Sequence, residues 1–513
     1  MKALKKAFVI GAIAAFAFGS AYAQEEWDDS GFESFDSFDD AGSAGGASSG
    51  FKLGADARLD ARYYVDANHN DVIDVPAKAL PKVVFDVGYE GSSTEFNVKV
   101  NLNEDTVTNH QMDILDELTA KMFIGDWVFS AGKMRVVWGK GDKVHVLDNF
   151  NANDYSNFLL PDYLDRRIAE YMFNVTYNAP CGISVEGIYT PIMTGERYAS
   201  KGAWKPGKVS KLEDTVKQVE GAKMLEASGA MANSSRNGSV NTAFLNQLTS
   251  SSKLSADDLY PNTYDLDYGQ FGLRVTGAVG TVNLGASYYN GRMKQVSVDY
   301  GNYVSSMEAH TLKFVQRGMS LAQDLQNAYS TANPKLNYDK VQVFGLEAET
   351  VVGPFGLRAE AGYNMTHDTA GTAKYIHNNS VSYLAGFDVN LPIHNVALNV
   401  QGYGTFILNA DSIRNEKKSE LNADYDPTGC YTNNKLVVQL SDTFMYEKLK
   451  AEMTFIYGFE RVDFIFMPKL TWKIRDSWEL IGQGLVIVCK DAKSEFYDWR
   501  NNGLVQLGVH YSF

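Results

Sequence analysis

The residues best equipped for chemistry sit together in one stretch, Trp138-Gly139-Lys140-Gly141-Asp142-Lys143-Val144-His145-Val146-Leu147-Asp148-Asn149-Phe150-Asn151-Ala152-Asn153-Asp154-Tyr155, which runs on to Pro161-Asp162-Tyr163-Leu164-Asp165-Arg166-Arg167. It holds the carboxylates Asp142, Asp148 and Asp154, the amide Asn151, the guanidiniums Arg166 and Arg167, and the indole Trp138. No helical or strand period fits it. It is too polar to lie in lipid and too aromatic for a loose loop, so it is expected to fold into a water-filled lumen. There it would meet Arg58, Arg62, Asp86 and Lys99, which fall on the polar faces of strand-like stretches. Opposite charges across a narrow lumen focus the field and select permeants. The plainer reading of the same groups is ion pairing that braces a wall, and the sequence leaves both open.

Other chemistry is thinner. Asp66, Asn68, Asn70 and Asp74 have calcium-loop spacing. The glycine usual at the sixth position is Asp71, however, and Ala77 stands where a glutamate closes such loops, so a polar surface loop is the preferred reading. The eight histidines are scattered, and His367 with His377 makes no metal-like cluster. Ser512 and His510 share a face of the last strand, yet no nucleophile elbow, phosphate loop or Cys-x-x-Cys accompanies them. No catalytic residue and no cofactor is expected. Three cysteines, Cys181, Cys430 and Cys489, are too few for a disulfide scaffold, and a Cys430–Cys489 bridge is allowed but not expected.

The elements that must hold these groups are strands. From Phe51 onward apolar and polar residues alternate: Phe51, Leu53, Ala55, Ala57, Leu59, Ala61, Tyr63 and Val65 on one face, charged residues on the other. Val83 to Tyr89, Phe96 to Leu102, Tyr171 to Tyr177, Leu357 to Tyr363, Val381 to Val389 and Leu449 to Tyr457 repeat the pattern. Short turns at Gly91-Ser92, Gly125-Asp126, Ala179 to Gly182, Ala278 to Gly280, Gly353-Pro354, Pro392 to Asn395 and Arg475-Asp476 alternate with longer polar segments. This is the pattern of an all-β, transmembrane antiparallel β-barrel, with about 18 strands, 16 being the alternative. An even count puts both termini on the short-turn side. Strand parity slips at Gly132, and the outer loop near Val462 looks short. Two long outer loops, roughly Thr194 to Asp267 and Arg292 to Asp339, carry helix-like stretches. In the first, Ser210-x-x-Glu213 reads as a capping box opening Leu212-Val216-Val219. The second stretch runs from Leu312 to Tyr329. Such stretches could gate a pore or merely decorate the surface.

The ends carry the remaining signals. Lys2, Lys5 and Lys6, the apolar run Ala7 to Gly19 and the small residues Ser20-Ala21-Tyr22-Ala23 read as a secretory signal over residues 1–23, cut after Ala23. Residues 24–50 are acidic, then Gly/Ser-rich, and read as a disordered periplasmic tail. The barrel takes 51–513. Its last strand alternates to a C-terminal aromatic, with Tyr511 and Phe513 on the apolar face. That ending resembles the C-terminal assembly signal of bacterial outer-membrane barrels.

The chain has 513 residues, 47 Lys+Arg against 62 Asp+Glu and a net charge of −15, which argues against a nucleic-acid partner. Apolar content of 45% without a later apolar run long enough for a helical span suits strands that show lipid only every second residue. The 29 Tyr and 28 Phe suit aromatic girdles at both membrane interfaces. The implied partners are outer-membrane lipid and the barrel-assembly machinery, with a homo-oligomer left open.

The segment singled out first resembles one found in porin-like outer-membrane proteins that include spirochaete examples and relatives of alginate-export barrels. Those proteins share Trp-Gly-x-x-Asp at a strand end, then Asp-x-x-Asn-Pro-x-Asp, then a Pro-Asp and Arg-rich stretch. Trp138, Gly139, Asp142, Asp148, Asn151, Asp154, Pro161, Asp162, Arg166 and Arg167 match, while Ala152 replaces the usual proline, which implies a looser turn. The resemblance implies a bacterial outer-membrane location. By analogy with the third loop of general porins, it also implies a segment that enters the pore. Three functions are consistent with these readings: a channel for small polar solutes or ions, a surface-exposed binding or structural protein, and a transporter of an apolar ligand.

Overall fold

Alternation survives as a strand only where the two faces meet different surroundings. In β1 (Gly50–Tyr64) Phe51 is 83% exposed on the outer face, and Arg62, on the other face, is buried. The computed structural model describes residues 50–65, 77–216, 259–305, 334–416 and 419–513. The proposed signal, nearly all of the proposed tail, the calcium-spaced loop and the helix-like stretch from Leu312 to Tyr329 lie outside the described residues.

After β1 come β2 (Ala77–Glu90), β3 (Thr94–Asn103), β4 (Leu115–Ile124), β5 (Trp127–Met134), β6 (Glu170–Asn178), β7 (Ile183–Thr190), β8 (Gln270–Val279) and β9 (Val282–Arg292). A small ribbon, β10 (Ser297–Asp299) with β11 (Lys335–Asn337), lies in the following loop. The wall resumes with β12 (Lys340–Val352), β13 (Phe355–Thr366), β14 (Ser380–Asn390), β15 (Ala397–Ile407) and β16 (Thr432–Phe444). It ends with β17 (Leu449–Gly458), β18 (Asp463–Arg475), β19 (Trp478–Cys489) and β20 (Leu504–Ser512). Leaving out the ribbon, these strands form one 18-stranded sheet of antiparallel neighbours, closed by β1 against β20.

Closure matters because an open sheet edge leaves backbone groups unpaired, which is prohibitive in lipid. At the seam Tyr511 pairs with Ala57, and Phe513 exchanges two backbone hydrogen bonds of 3.1 Å with Ala55. The outer face carries aromatic rows at both strand ends. Near the short turns lie Phe51 on Tyr89 (5.0 Å between centroids), Trp127 on Tyr177 (4.7 Å) and Trp478 on Tyr511 (4.8 Å). Near the long loops lie Phe271 on Tyr288 (5.8 Å) and Tyr288 on Phe344 (5.2 Å). Between the rows the face is aliphatic, as at Leu346, Leu470 and Leu507. An apolar belt between aromatic rows is the exterior of a membrane-spanning barrel. No helix among the described residues is long and apolar enough to cross a membrane.

The structure adjusts several expectations. Gly132 sits at φ 139° and a Cβ there would lie 1.8 Å from the Leu118 carbonyl oxygen, so the slip of parity is a backbone kink inside an unbroken β5. A short turn with no glycine or proline to mark it joins β16 to β17, with Met445, Tyr446 and Glu447 all at positive φ. Among the described residues the first loop helix takes in 207–216. It starts at Pro206, whose carbonyl accepts from Val209 and Ser210, so Ser210 is inside the helix rather than its cap. Leu212 and Val216 are buried as their spacing implies. Cys181, Cys430 and Cys489 are all free thiols.

Candidate functional site

The connection between β5 and β6, residues 135–169, leaves the wall because Asn151 occupies the place of a pairing strand. Its amide nitrogen donates to the carbonyls of Met134 (3.1 Å) and Ile168 (2.9 Å), and its oxygen accepts from the Val136 amide (2.9 Å). Asn151 is fully buried, so these bonds replace water for three backbone groups that would otherwise be orphaned. Ala152 is completely buried and its carbonyl accepts from Ile168 (2.8 Å).

From there the segment crosses the lumen on side-chain anchors. Trp138, 1% exposed, donates from Nε1 to Glu186 on β7 (2.9 Å). Its ring meets Phe150 edge-on, and Phe150 meets Tyr289 on β9. Next, Glu360 on β13 takes three backbone amides of the segment: Gly141 at 2.5 Å on Oε1, and Val146 at 2.7 Å and Leu147 at 3.3 Å on Oε2. His145 Nδ1 lies 3.3 Å from the same carboxylate. Gly139 (φ 111°) and Gly141 permit this cradle, because a Cβ on Gly139 would sit 2.4 Å from Glu360 Oε1. Farther round the wall, Asn399 on β15 donates to Asp142 (2.7 Å), and Gln401 accepts from the Lys143 amide (2.9 Å).

The return path is held on other strands. Arg62 on β1 donates to Asn157 (2.6 Å) and Gln483 on β19 to the Leu160 carbonyl (3.4 Å). Lys469 on β18 pairs with Asp162 at 3.6 Å. Phe158 stacks on Trp204 at 5.0 Å, inside an apolar cluster with Phe496. Out and back are tied by Arg167 to Asp148 at 2.5 Å, with Tyr163 donating to the other Asp148 oxygen at 2.6 Å. Both ion-pair partners are buried, so each depends on the other for its solvation. Asp154 pairs with Arg197 (3.0 Å), which also reaches Asp113 (2.6 Å). Burial would raise the Asp113 pKa, but the Arg197 guanidinium overrides it and holds the carboxyl below its ordinary range.

The residues singled out from the sequence therefore fall into three settings. Asp142, Asp148 and Arg167 are engaged within the crossing segment or between it and the wall, and Asp154 pairs with Arg197 of the β7–β8 loop. Arg166 is in the same segment, with its Nε buried and lacking a hydrogen-bond partner among the described residues. Trp138 and Asn151 are packed inside the segment. Arg58, Arg62, Asp86 and Lys99 are on the inner face of β1 to β3: Arg58 pairs with Asp56, and Asp86 stands opposite Lys99 in register. Glu360, Glu186, Gln401 and Asn399 were not singled out. Their signal was an acid or amide at an inward position of an otherwise apolar strand. His510 faces Asp60 (3.2 Å) rather than Ser512. Among the described residues no group of three or more His, Cys, Asp or Glu side chains is placed to hold a metal ion.

Above the crossing segment the outer loops interlock. His377 donates its backbone N–H to Asp339 (2.9 Å), and its Nδ1 lies 2.6 Å from the same oxygen. The next amide, Asn378, donates to Asp424 (2.6 Å). Burial would depress the His377 pKa, but the Asp339 hydrogen bond and the Asp424 charge outweigh it and raise it above the usual 6.5. Between the segment and the β12–β15 wall is a cavity of about 400 Å³.

No protein-family model matches the chain, and no curated protein matches it. Solved structures do. The outer membrane channel DcaP of Acinetobacter baumannii is 8% identical, over 91% of this chain and 97% of that one, with a TM-score of 0.39. OccAB4 of Acinetobacter baumannii is 10% identical over 90% and 97%, TM-score 0.43. Wzi, an outer membrane protein involved in group 1 capsule assembly in Escherichia coli and a carbohydrate-binding β-barrel, is 9% identical over 90% and 84%, TM-score 0.43. The geometry itself establishes a closed 18-stranded antiparallel barrel, with the exterior of a membrane-spanning one, whose lumen is crossed by its own β5–β6 connection.

Proposed function

We propose that this chain is a channel of the bacterial outer membrane that passes small polar solutes or ions by diffusion. On this reading the crossing segment forms the constriction, with Asp142, Asp154 and Arg166 toward Arg58, Arg62, Asp86 and Lys99 of the wall, while Trp138, Asp148, Asn151 and Arg167, expected from the sequence to line it, are buried and hold the segment in place. The observation that carries the reading is the crossing itself. A polar segment reaches strands on opposite sides of the lumen through Glu360 and Arg62, and a polar cavity remains beside it. A purely structural wall would need no such internal partition, whereas a selective pore needs a narrow polar passage. The apolar belt and its aromatic rows support an outer-membrane location, with lipid as partner. A C-terminal strand that closes the seam supports recognition by the barrel-assembly machinery.

The test is conductance of the purified full-length chain in a planar bilayer, with a heat-modifiability gel to confirm the folded barrel. Steady openings with a measurable reversal potential are expected. Arg58→Ala with Arg62→Ala removes two fixed cations and should shift selectivity toward cations. A folded barrel that never conducts overturns the channel reading, and unchanged selectivity removes the two arginines from the passage.

A further inference from the structure

The cavity beside the crossing segment has a wall with an unusual balance. Several of its charged groups pair with one another or with neighbours in the protein. Asp148 pairs with Arg167 (2.5 Å), Asp426 with Arg461, and Lys294 with Glu170 (3.4 Å). What the wall still offers is neutral hydrogen bonding. Asn378 is 2% exposed, its nitrogen donates to the Leu408 carbonyl (2.9 Å), and its oxygen has no hydrogen-bond partner among the described residues. Ser380 and Ser382 accept from Asn364 (3.2 and 3.1 Å), and Ser382 and Thr405 share one hydrogen bond (3.3 Å), so one hydroxyl proton of that pair remains to donate. These amide and hydroxyl groups set neutral donors and acceptors around one cavity.

The cavity is also not uniformly polar. Val341, Val343 and Ile407 give part of its lining an aliphatic surface. A ligand that matches carries no net charge, donates and accepts hydrogen bonds in several directions, and has C–H groups for an aliphatic patch. About 400 Å³ lies within the range of small-molecule sites.

We propose that this cavity binds a small uncharged polyhydroxylated solute, of one or two sugar rings, on its way through the lumen. The proposal rests on the channel reading for the route by which the solute arrives, but the site itself stands on the cavity wall. The lining sets four cationic side chains, Arg167, Arg292, Lys294 and Arg461, against four carboxylates, Asp148, Glu196, Asp424 and Asp426, so its charges balance and a neutral polyol leaves that balance undisturbed, whereas an anion or a cation upsets it.

Calorimetric titration of the folded full-length chain in detergent tests this, with glucose and sucrose as neutral probes and gluconate and glucosamine as charged ones. Saturable binding of a neutral probe is expected, with charged probes at least about tenfold weaker. Ser382→Ala with Thr405→Val should weaken the neutral probe about tenfold, since two hydrogen bonds are lost without a change of shape. If that pair does not fold, Thr405→Val alone should weaken it severalfold. No binding of either neutral probe overturns the proposal, and tighter binding of gluconate or glucosamine overturns its ligand class. The titration needs no open pore. Binding without bilayer conductance keeps the site and overturns the channel reading; conductance without binding keeps the channel and overturns the site.

Discussion

Leu346 and Glu360 are on adjacent strands, one facing lipid and one facing the lumen, and they hold the molecule together in different ways. Leu346 is at the middle of β12, paired in register with Ala286 on one side and Ala361 on the other. Its backbone is fixed by neighbours on both sides, and its side chain has only to be apolar. Glu360 receives three amides of a segment that has no strand partner at all. The wall is redundant: its ladder of backbone bonds does not depend on which side chain stands where. The crossing segment is the reverse, because its position depends on a few side chains, each far away in sequence. Substitutions in the wall should therefore act on folding and leave the passage alone. Substitutions at the anchors should act on the passage and leave the barrel folded.

The strongest break in that contrast is Arg167→Ala. It leaves Asp148 buried without its counter-charge, at a cost of about 3–5 kcal/mol. The expected result is a barrel that still shifts on a heat-modifiability gel but shows larger and noisier currents, because the outgoing and returning limbs are no longer tied. Wild-type conductance from a folded variant would show that the segment does not depend on this pair. Leu346→Arg attacks the other side. Leu346 is 64% exposed at the centre of the apolar belt, and a cation at such a depth costs about 2–4 kcal/mol. Yield of folded barrel should drop in a refolding assay, while the channels that do form conduct as wild type. A change of conductance would mean that wall and segment are coupled.

Glu360→Gln is expected to cost less, about 1.5–3 kcal/mol, the scale of hydrogen bonds to a charged acceptor. The amide turns one end of the side chain into a donor that faces backbone donors. The limb Gly139 to Leu147 should then detach from β13 while Arg167 still holds the other limb. Limited proteolysis in this limb should become faster with little change in the thermal midpoint of the barrel. Equal losses in both readings would place Glu360 in the wall's own stability.

The same contrast explains what could be read from the chain alone. Each wall strand announces itself locally, since lipid outside and water inside impose period two on adjacent residues. Phe51, Leu53 and Leu59 are exposed on the outer face as the alternation required. The β16–β17 turn escaped because Met445, Tyr446 and Glu447 take left-handed conformations without the usual glycine, asparagine or proline. The helix start was misread because Pro206, a stronger opening signal than Ser210, lies outside the capping-box pattern. The crossing segment was visible only as a stretch where every period fails. Its anchors were not visible, because the pairing of Gly141 with Glu360 or Arg62 with Asn157 joins residues that no local pattern relates. Glycines 139 and 141 were part of a recognisable motif, yet their reason, the close approach of a carboxylate from β13, exists only in three dimensions.

The smallest expected effect lies where loops lock above the lumen, and it sharpens the comparison by adding a region that is neither wall nor segment. His377 is buried between Asp339 and Asp424, and its pKa is raised despite its burial. A raised folded pKa means that protonated His377 stabilises the fold. That contribution is complete below the unfolded value near 6.5 and fades as pH rises through the higher folded value. Asp339 acts in the opposite sense. Burial would raise its pKa, the His377 contacts lower it, and its contribution is lost only as pH falls through a value below the ordinary 3.8. The lock is therefore firmest in mildly acidic solution and loosens toward alkaline pH. The stability of the lock should fall between pH 6 and pH 9 by about 1 kcal/mol, the scale of one hydrogen bond, and the thermal midpoint of the loop transition should fall with it. His377→Gln cannot take up a proton, so it should start lower at pH 6 and lose this part of the slope. An unchanged slope in the variant would assign the pH response to another group, and the barrel transition should stay put in either case.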